Sequence, residues 1–184
     1  MIIGLTGGMV CGKRTIAEYL RGKGFEVLTF SADVLDVELK KRNIPVTRKA
    51  QQDLGNEIRN REGAGGLAKR LIEKMKPGKN YVLDGIRNPG EIIEIRKQKD
   101  FVLIAIDSPQ KMRFERIVAR DMERDPKTWE EFLKADMRDF DDGIVCGLQI
   151  GKCMKMADYT ISNDCSLDEF RARFDEILEK ISEK

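Results

Sequence analysis

The chain contains no histidine. That absence removes Ser-His-Asp and Cys-His nucleophilic chemistry and leaves carboxylates, lysine, tyrosine and cysteine as the available acids and bases. Cysteine is scarce: Cys11, Cys146, Cys153 and Cys165 form no CxxC pair, which argues against a structural zinc site and against a disulfide framework. No apolar run is long enough to span a bilayer and no signal-peptide pattern is seen, so the expected location is cytoplasmic. A field of one sign is missing too. With 34 Lys and Arg against 32 Asp and Glu, the charge gives no reason to expect a nucleic-acid or membrane partner, and no protein partner is implied. The 184 residues carry no internal repeat, linker or low-complexity segment and fit one domain with a two-sided core.

What is present is concentrated at the start. Residues 1–20 read MIIGLTGGMVCGKRTIAEYL: a short apolar run, a glycine-rich turn and an amphipathic stretch, the layout of a phosphate-cradling P-loop. In such a loop successive backbone N–H groups of Gly7, Gly8, Met9, Val10, Cys11 and Gly12 point at phosphate oxygens, and glycine adopts the required angles without a clash. The following helix offers its free N–H groups and dipole to the same anion, and Lys13 reaches the β- and γ-phosphates. One position departs from the pattern. The residue after the lysine is ordinarily Ser or Thr, a magnesium ligand, but here it is Arg14, and the hydroxyl of Thr15 arrives one residue late, rotated by about 100°. This predicts either weakened turnover or a Mg²⁺ held mainly through water and phosphate oxygens, with Thr15 and Asp84 as candidate protein ligands. Cys11 reads as a small loop residue.

Five short runs, Ile2 to Thr6, Glu26 to Phe30, Tyr81 to Leu83, Val102 to Ile106 and Tyr159 to Ser162, read as buried parallel strands separated by helical patterns. The alternation predicts an α/β fold, a doubly wound five-stranded parallel sheet with helices on both faces. Ligands of such sheets gather at the carboxyl ends of the strands, where Ser31 to Asp33, Asp84 to Arg87 and Asp107 to Ser108 fall. Two stretches interrupt the alternation. Residues 33–76 hold two or three helices, and residues 121–142 are charged, carry Trp129, and read as a short helix pair starting at Thr128 with Glu131 three residues on. Few of their apolar positions recur at core spacing, so both are expected to be mobile flaps on a single domain. The last helix opens with the capping box Ser166 to Glu169 and carries one apolar stripe to Ile181.

Several side chains point to chemistry. Asp84 ends the third strand in VLDGIR, where a carboxylate beside a P-loop orients Mg²⁺ or its waters. Arg87 at the mouth suits bidentate contact with the phosphate of a second substrate. Arg116 and Arg120, four apart in FERIVAR, share a helical face and would attract a triphosphate tail. Arg124 and Arg138, in the second flap, would swing in on closure. Asp33, at a helix start after the second strand, could accept a proton from a substrate hydroxyl or hold a ribose hydroxyl. Arg48, Gln51 and Arg59 are candidates for reading an acceptor. Gly55, inside the same helical pattern at a cost of about 1 kcal/mol against alanine, points to a close approach of backbone or ligand.

Together these residues resemble the nucleoside monophosphate kinase group of P-loop proteins over essentially the whole chain. VLDGIR is similar to the strand-end DGFPR of adenylate kinases, one residue shorter, and FERIVAR to their arginine pair bordering the lid. Two subfamilies come closer. ADYTISNDCSLDEF and DPKTWEEF resemble dephospho-CoA kinases and their archaeal relatives; SADVL, QQDLGNEIR and LDGIRNPGE resemble phage-type deoxynucleoside monophosphate kinases, which tolerate a non-hydroxyl residue after the P-loop lysine. The resemblance implies a P-loop NTPase fold of nucleotide-kinase type, with an acceptor-binding insertion at about 33–76 and a lid at about 121–142. It also implies triphosphate contact for Lys13, acceptor contact for Asp33 and Arg87, and lid roles for Arg116, Arg120, Arg124 and Arg138. Adenine in this group packs near the loop before the last helix, here Asn163 and Asp164.

The expected function is Mg²⁺-dependent transfer of the ATP γ-phosphoryl group to a small nucleotide, a (deoxy)nucleoside monophosphate first. Two alternatives stay open. A dephospho-CoA-type enzyme would phosphorylate a ribose hydroxyl and need a strong base, and a catalytically degenerate nucleotide-binding regulator would account for Arg14. An NTP-hydrolysing switch finds no support, because no guanine-reading NKxD run is present.

Overall fold

The apolar runs form five parallel strands: β1 (Ile2–Thr6), β2 (Glu26–Thr29), β3 (Tyr81–Ile86), β4 (Phe101–Asp107) and β5 (Tyr159–Ser162). They make one sheet in the order β2-β3-β1-β4-β5. This computed structural model describes residues 1–122, 125–141, 143–144 and 146–183, and of Arg48 the backbone alone. β1 lies at the centre, and all five of its residues are buried. Parallel neighbours need crossovers, supplied by α1 (Lys13–Gly22), α2 (Asp36–Lys41), α3 (Arg48–Glu62), α4 (Gly66–Ile72), α5 (Pro89–Ile95), α6 (Gln110–Arg120), α7 (Trp129–Phe140) and α8 (Ile150–Lys155), while α9 (Leu167–Ser182) follows the last strand.

Side chains alternate across the sheet with a period of two, which divides the core. Ile2, Leu83 and Leu103 meet Leu39, Ile58 and Leu67 on one face; Ile3, Leu5, Val82 and Ile104 meet Ile16, Leu20, Phe170 and Phe174 on the other. The first face is covered by α2 to α5 and α8, the second by α1 and α9. The expected doubly wound sheet is therefore present, with helices on both sides. Among the described residues no helix is long and apolar enough to cross a membrane.

Three local departures from the sequence reading shape the site. β2 ends at Thr29, and Phe30–Leu35 winds as a π-helical turn. β3 continues past Leu83 through a bulge: Leu5 pairs with Asp84 and Thr6 with Ile86, leaving Gly85 as the extra residue at φ 94. That positive φ suits glycine, and a bulge re-aims the neighbouring side chain, here Asp84. Among the described residues the second insertion holds one helix, α7, where a pair was expected, and it begins at the expected Thr128–Glu131 capping box. Nor is α7 only a solvated face. Phe132 is fully buried and packs with Phe114 and Trp129 at centroid distances of 5.6 and 5.4 Å.

The corner between α3 and α4 is held by Glu62, which accepts from Arg70 Nη2 at 2.6 Å and from Arg61 Nη2 at 2.7 Å. The Arg70 guanidinium first, then Arg61, hold this carboxyl at about 2 against an ordinary 4.5. A depressed folded-state pKa contributes stability above the unfolded value that is lost as pH falls through the folded one. Wild-type stability is therefore expected to decline between pH 4.5 and about 2 more steeply than that of Glu62→Gln, as urea denaturation across that range would show.

Candidate active site

β1 delivers the glycine-rich turn to the carboxyl edge of the sheet. Gly12 has φ 113, and a Cβ there would stand 2.3 Å from Asn163 Nδ2, so the position admits only glycine. Val10, a β-branched residue, is held at φ 56, a strained conformation of the kind that collects at ligand clamps. Among the described residues, no acceptor takes up the N–H groups of Gly8, Met9, Val10 and Gly12, which form the concavity an anion needs. Lys13 Nζ donates to the carbonyls of Gly7 and Gly8 at 2.7 Å each, which fixes the ammonium at the mouth of the turn. Arg14 is exposed and Thr15 half-buried on the first turn of α1, and neither lines the cleft described below.

Asp84 faces the same mouth. Its Oδ1 is buried without a hydrogen-bond partner, and burial pushes its pKa up against the opposing pull of Lys13, Arg87 and Arg14. An orphaned buried carboxylate oxygen beside an anion nest fits a divalent cation. Among the described residues no group of three acidic, cysteine or histidine side chains is placed to hold a metal. A Mg²⁺ here would thus have Asp84 as its carboxylate, with phosphate and water completing the shell.

A cleft of about 740 Å³ opens from the turn toward α3 and is lined by Lys13, Asp84, Arg59, Arg87, Arg120 and Arg138. These cations differ in what they are free to do. Arg59 is buried and donates through Nε and Nη2 to Glu91 Oε1 at 3.2 and 2.9 Å. Arg120 is clamped by Asp125, with Nη2 2.6 Å from Oδ1. Arg87 and Arg138 are exposed, and among the described residues neither guanidinium makes a hydrogen bond or close ion pair. The far end of the cleft is walled by Phe30, Leu35 and Leu67 and carries Asp36 and Gln51.

Four expected site residues are placed elsewhere or otherwise engaged. Asp33 turns back on its own segment, accepting from Thr29 N at 2.6 Å and Thr29 Oγ1 at 3.1 Å; it does not line the cleft, whereas Asp36 does. Asp33 lies inside the π-helical turn and bonds back to Thr29, the residue that caps it, whereas Asp36 follows the turn, whose wider winding shifts the helical phase. Arg116 points away from the cleft, donating to Ser108 Oγ and to the Asn163 carbonyl at 3.0 Å each. Asn163 acts as a strut: its Nδ2 donates to the Cys11 carbonyl at 2.8 Å, and its own carbonyl accepts from Ser108 Oγ. Asp164 pairs with Arg173 at 2.7 Å on the surface. Arg124 lies outside the described residues, and Arg48 begins α3.

Sequence reading missed the buried pair Arg113–Asp136, with Nη2 2.7 Å from Oδ2. Arg113 also donates to Ser108 O at 2.9 Å and to Met9 O at 3.3 Å, so it ties α7 to the glycine-rich turn. The only signal lay in an aromatic-rich surrounding, Phe114 and Phe132; the partners are 23 residues apart.

An AAA domain family model matches residues 3–138. A UPF0200 protein of Pyrococcus horikoshii is 35% identical, covering 98% of this chain and 97% of its own. Among solved structures, shikimate kinase from Aquifex aeolicus superposes with a TM-score of 0.59 at 17% identity, over 99% of this chain and 98% of that one. Dephospho-CoA kinase from Campylobacter jejuni gives 0.51 at 21%, over 100% and 98%. At these identities the structures establish the fold: a parallel sheet flanked by helices, as in P-loop kinases.

Proposed function

The chain belongs to the UPF0200 family and carries an AAA domain of P-loop kinase-like fold, and on that footing we propose that it transfers the γ-phosphoryl group of ATP to a nucleoside monophosphate. Lys13 and the free N–H groups of Gly8, Met9, Val10 and Gly12 bind the β- and γ-phosphates. Mg²⁺, when bound beside Asp84, supplies neutralisation of phosphate charge. Arg87 and Arg138 take the phosphate of the acceptor, and their lack of a hydrogen bond or close ion pair among the described residues is the observation that carries this reading. Phosphoryl transfer asks mainly for alignment and charge stabilisation. A monophosphate is largely dianionic at neutral pH, with a second pKa of about 6, so it attacks without a strong base. That matches an Asp33 carboxylate spent on Thr29.

The test is ADP release with ATP, Mg²⁺ and a panel of nucleoside monophosphates alongside dephospho-CoA. Turnover is expected with a monophosphate, and Arg87→Met should raise its KM about tenfold or more, the worth of a charged hydrogen bond. Asp33→Asn, whose amide oxygen still accepts from Thr29, should leave kcat within about threefold, since no base is removed. Turnover on dephospho-CoA that Asp33→Asn abolishes would replace this reading with hydroxyl phosphorylation. ATP binding without turnover on any acceptor would make the chain a nucleotide-binding regulator.

A further inference from the structure

Helix α3 contains a glycine that its own packing does not require. A Cβ at Gly55 would meet Arg59 Nη1 at 3.4 Å and Leu35 Cδ2 and Leu67 Cδ1 at 3.9 Å, ordinary contact distances, and the backbone there is not left-handed. Yet Gly55 sits mid-helix and lines the cleft. Gln51 and Arg59 flank it one helical turn to either side and so share its face. Both are locked from behind. Gln51 Nε2 donates to Asp36 Oδ1, and because a carboxylate only accepts, the amide orientation is set, which leaves Gln51 Oε1 and Asp36 Oδ2 as adjacent acceptors. Arg59 spends Nε and Nη2 on Glu91, which leaves Nη1, beside Gly55, as a donor. The cleft here thus has a buried helix glycine in its lining, the apolar wall of Phe30, Leu35 and Leu67, two acceptors at one end and a donor at the other.

Resting on the monophosphate reading above, we propose that the acceptor's base lies flat against Gly55 and that this base is guanine. Of the common bases, guanine alone presents two adjacent N–H donors, N1–H and the 2-amino group, to a pair of acceptors, with its oxo group and N7 available to an arginine. Adenine and cytosine offer one donor beside an acceptor. Uracil and thymine would set carbonyl oxygens against the Asp36 carboxylate.

The experiment compares GMP, dGMP, IMP, AMP, CMP and UMP as acceptors for wild type and Gly55→Ala, by ADP release, together with the melting temperature of both proteins. IMP differs from GMP only in lacking the 2-amino group. GMP or dGMP is expected to be the preferred acceptor, with kcat/KM for GMP about tenfold or more above that for IMP. Gly55→Ala should raise the KM for GMP about tenfold while the KM for ATP stays put, and its melting temperature should hold or rise, since alanine is the better helix former. Preference for another base, parity of GMP with IMP, an unchanged KM in Gly55→Ala, or a fall in its melting temperature would each overturn the assignment. Wild type that phosphorylates no monophosphate would overturn the monophosphate reading and this inference with it.

Discussion

Asp136→Ala is expected to cost about 3–5 kcal/mol of folding stability, roughly 6–20 °C in melting temperature for a domain of this size. Asp136 and Arg113 are both buried, and the carboxylate accepts two guanidinium nitrogens as well as Gln110 Nε2 at 2.9 Å. Removing it leaves a guanidinium in a water-poor site, stacked over the Phe132 ring at 5.4 Å, with no counter-charge. The penalty is the uncompensated ion, and this yields a sharper check than the single variant alone. Arg113→Met combined with Asp136→Leu removes both charges, keeps apolar volume, and should recover most of the loss. Equal losses in single and double variants would show that packing, and not charge pairing, holds α7 in place. Because Arg113 also donates to the carbonyl of Met9, the double variant should still raise the KM for ATP.

That pair also shows where sequence reading reaches its limit. The five strands and the glycine-rich turn were legible because their causes are local: an apolar run, glycine at a backbone conformation closed to other residues, and a helix start. The caps at Thr128 and Ser166 were legible for the same reason. Partners far apart in the chain were not. Arg59 meets Glu91 across 32 residues and Arg113 meets Asp136 across 23, and nothing in the spacing of either residue announces the other. Arg116 and Arg120 share a helical face by periodicity, yet one turns to Asn163 and the other to Asp125. Asp36 lines the cleft where Asp33 was expected, because the π-helical turn shifts the helical phase and leaves no compositional mark. Asp84 was expected at a strand tip; it lies within β3, and the Gly85 bulge turns it.

Asp84→Asn should move activity and stability in opposite directions. Its buried Oδ1 has no hydrogen-bond partner, and burial, only partly offset by Lys13, Arg87 and Arg14, raises its pKa above the ordinary 3.8. For an acid, a raised folded-state pKa means that the unfolded chain ionises first as pH rises. Folding stability then falls from about pH 3.9 up to the folded-state value and stays lowered above it. A neutral amide of the same shape escapes that penalty, so without nucleotide or Mg²⁺ the variant is expected to be about 1 kcal/mol more stable at pH 7. The same substitution removes the carboxylate whose buried, unpartnered oxygen stands beside the glycine-rich turn, and kcat should fall about 10²–10³-fold, as when one charge-stabilising group leaves a phosphoryl-transfer site. Urea denaturation in EDTA reads the first effect and ADP release at saturating Mg²⁺ the second. A variant that is less stable than wild type while retaining full turnover would show that Asp84 is a structural turn residue, with the cation bound elsewhere.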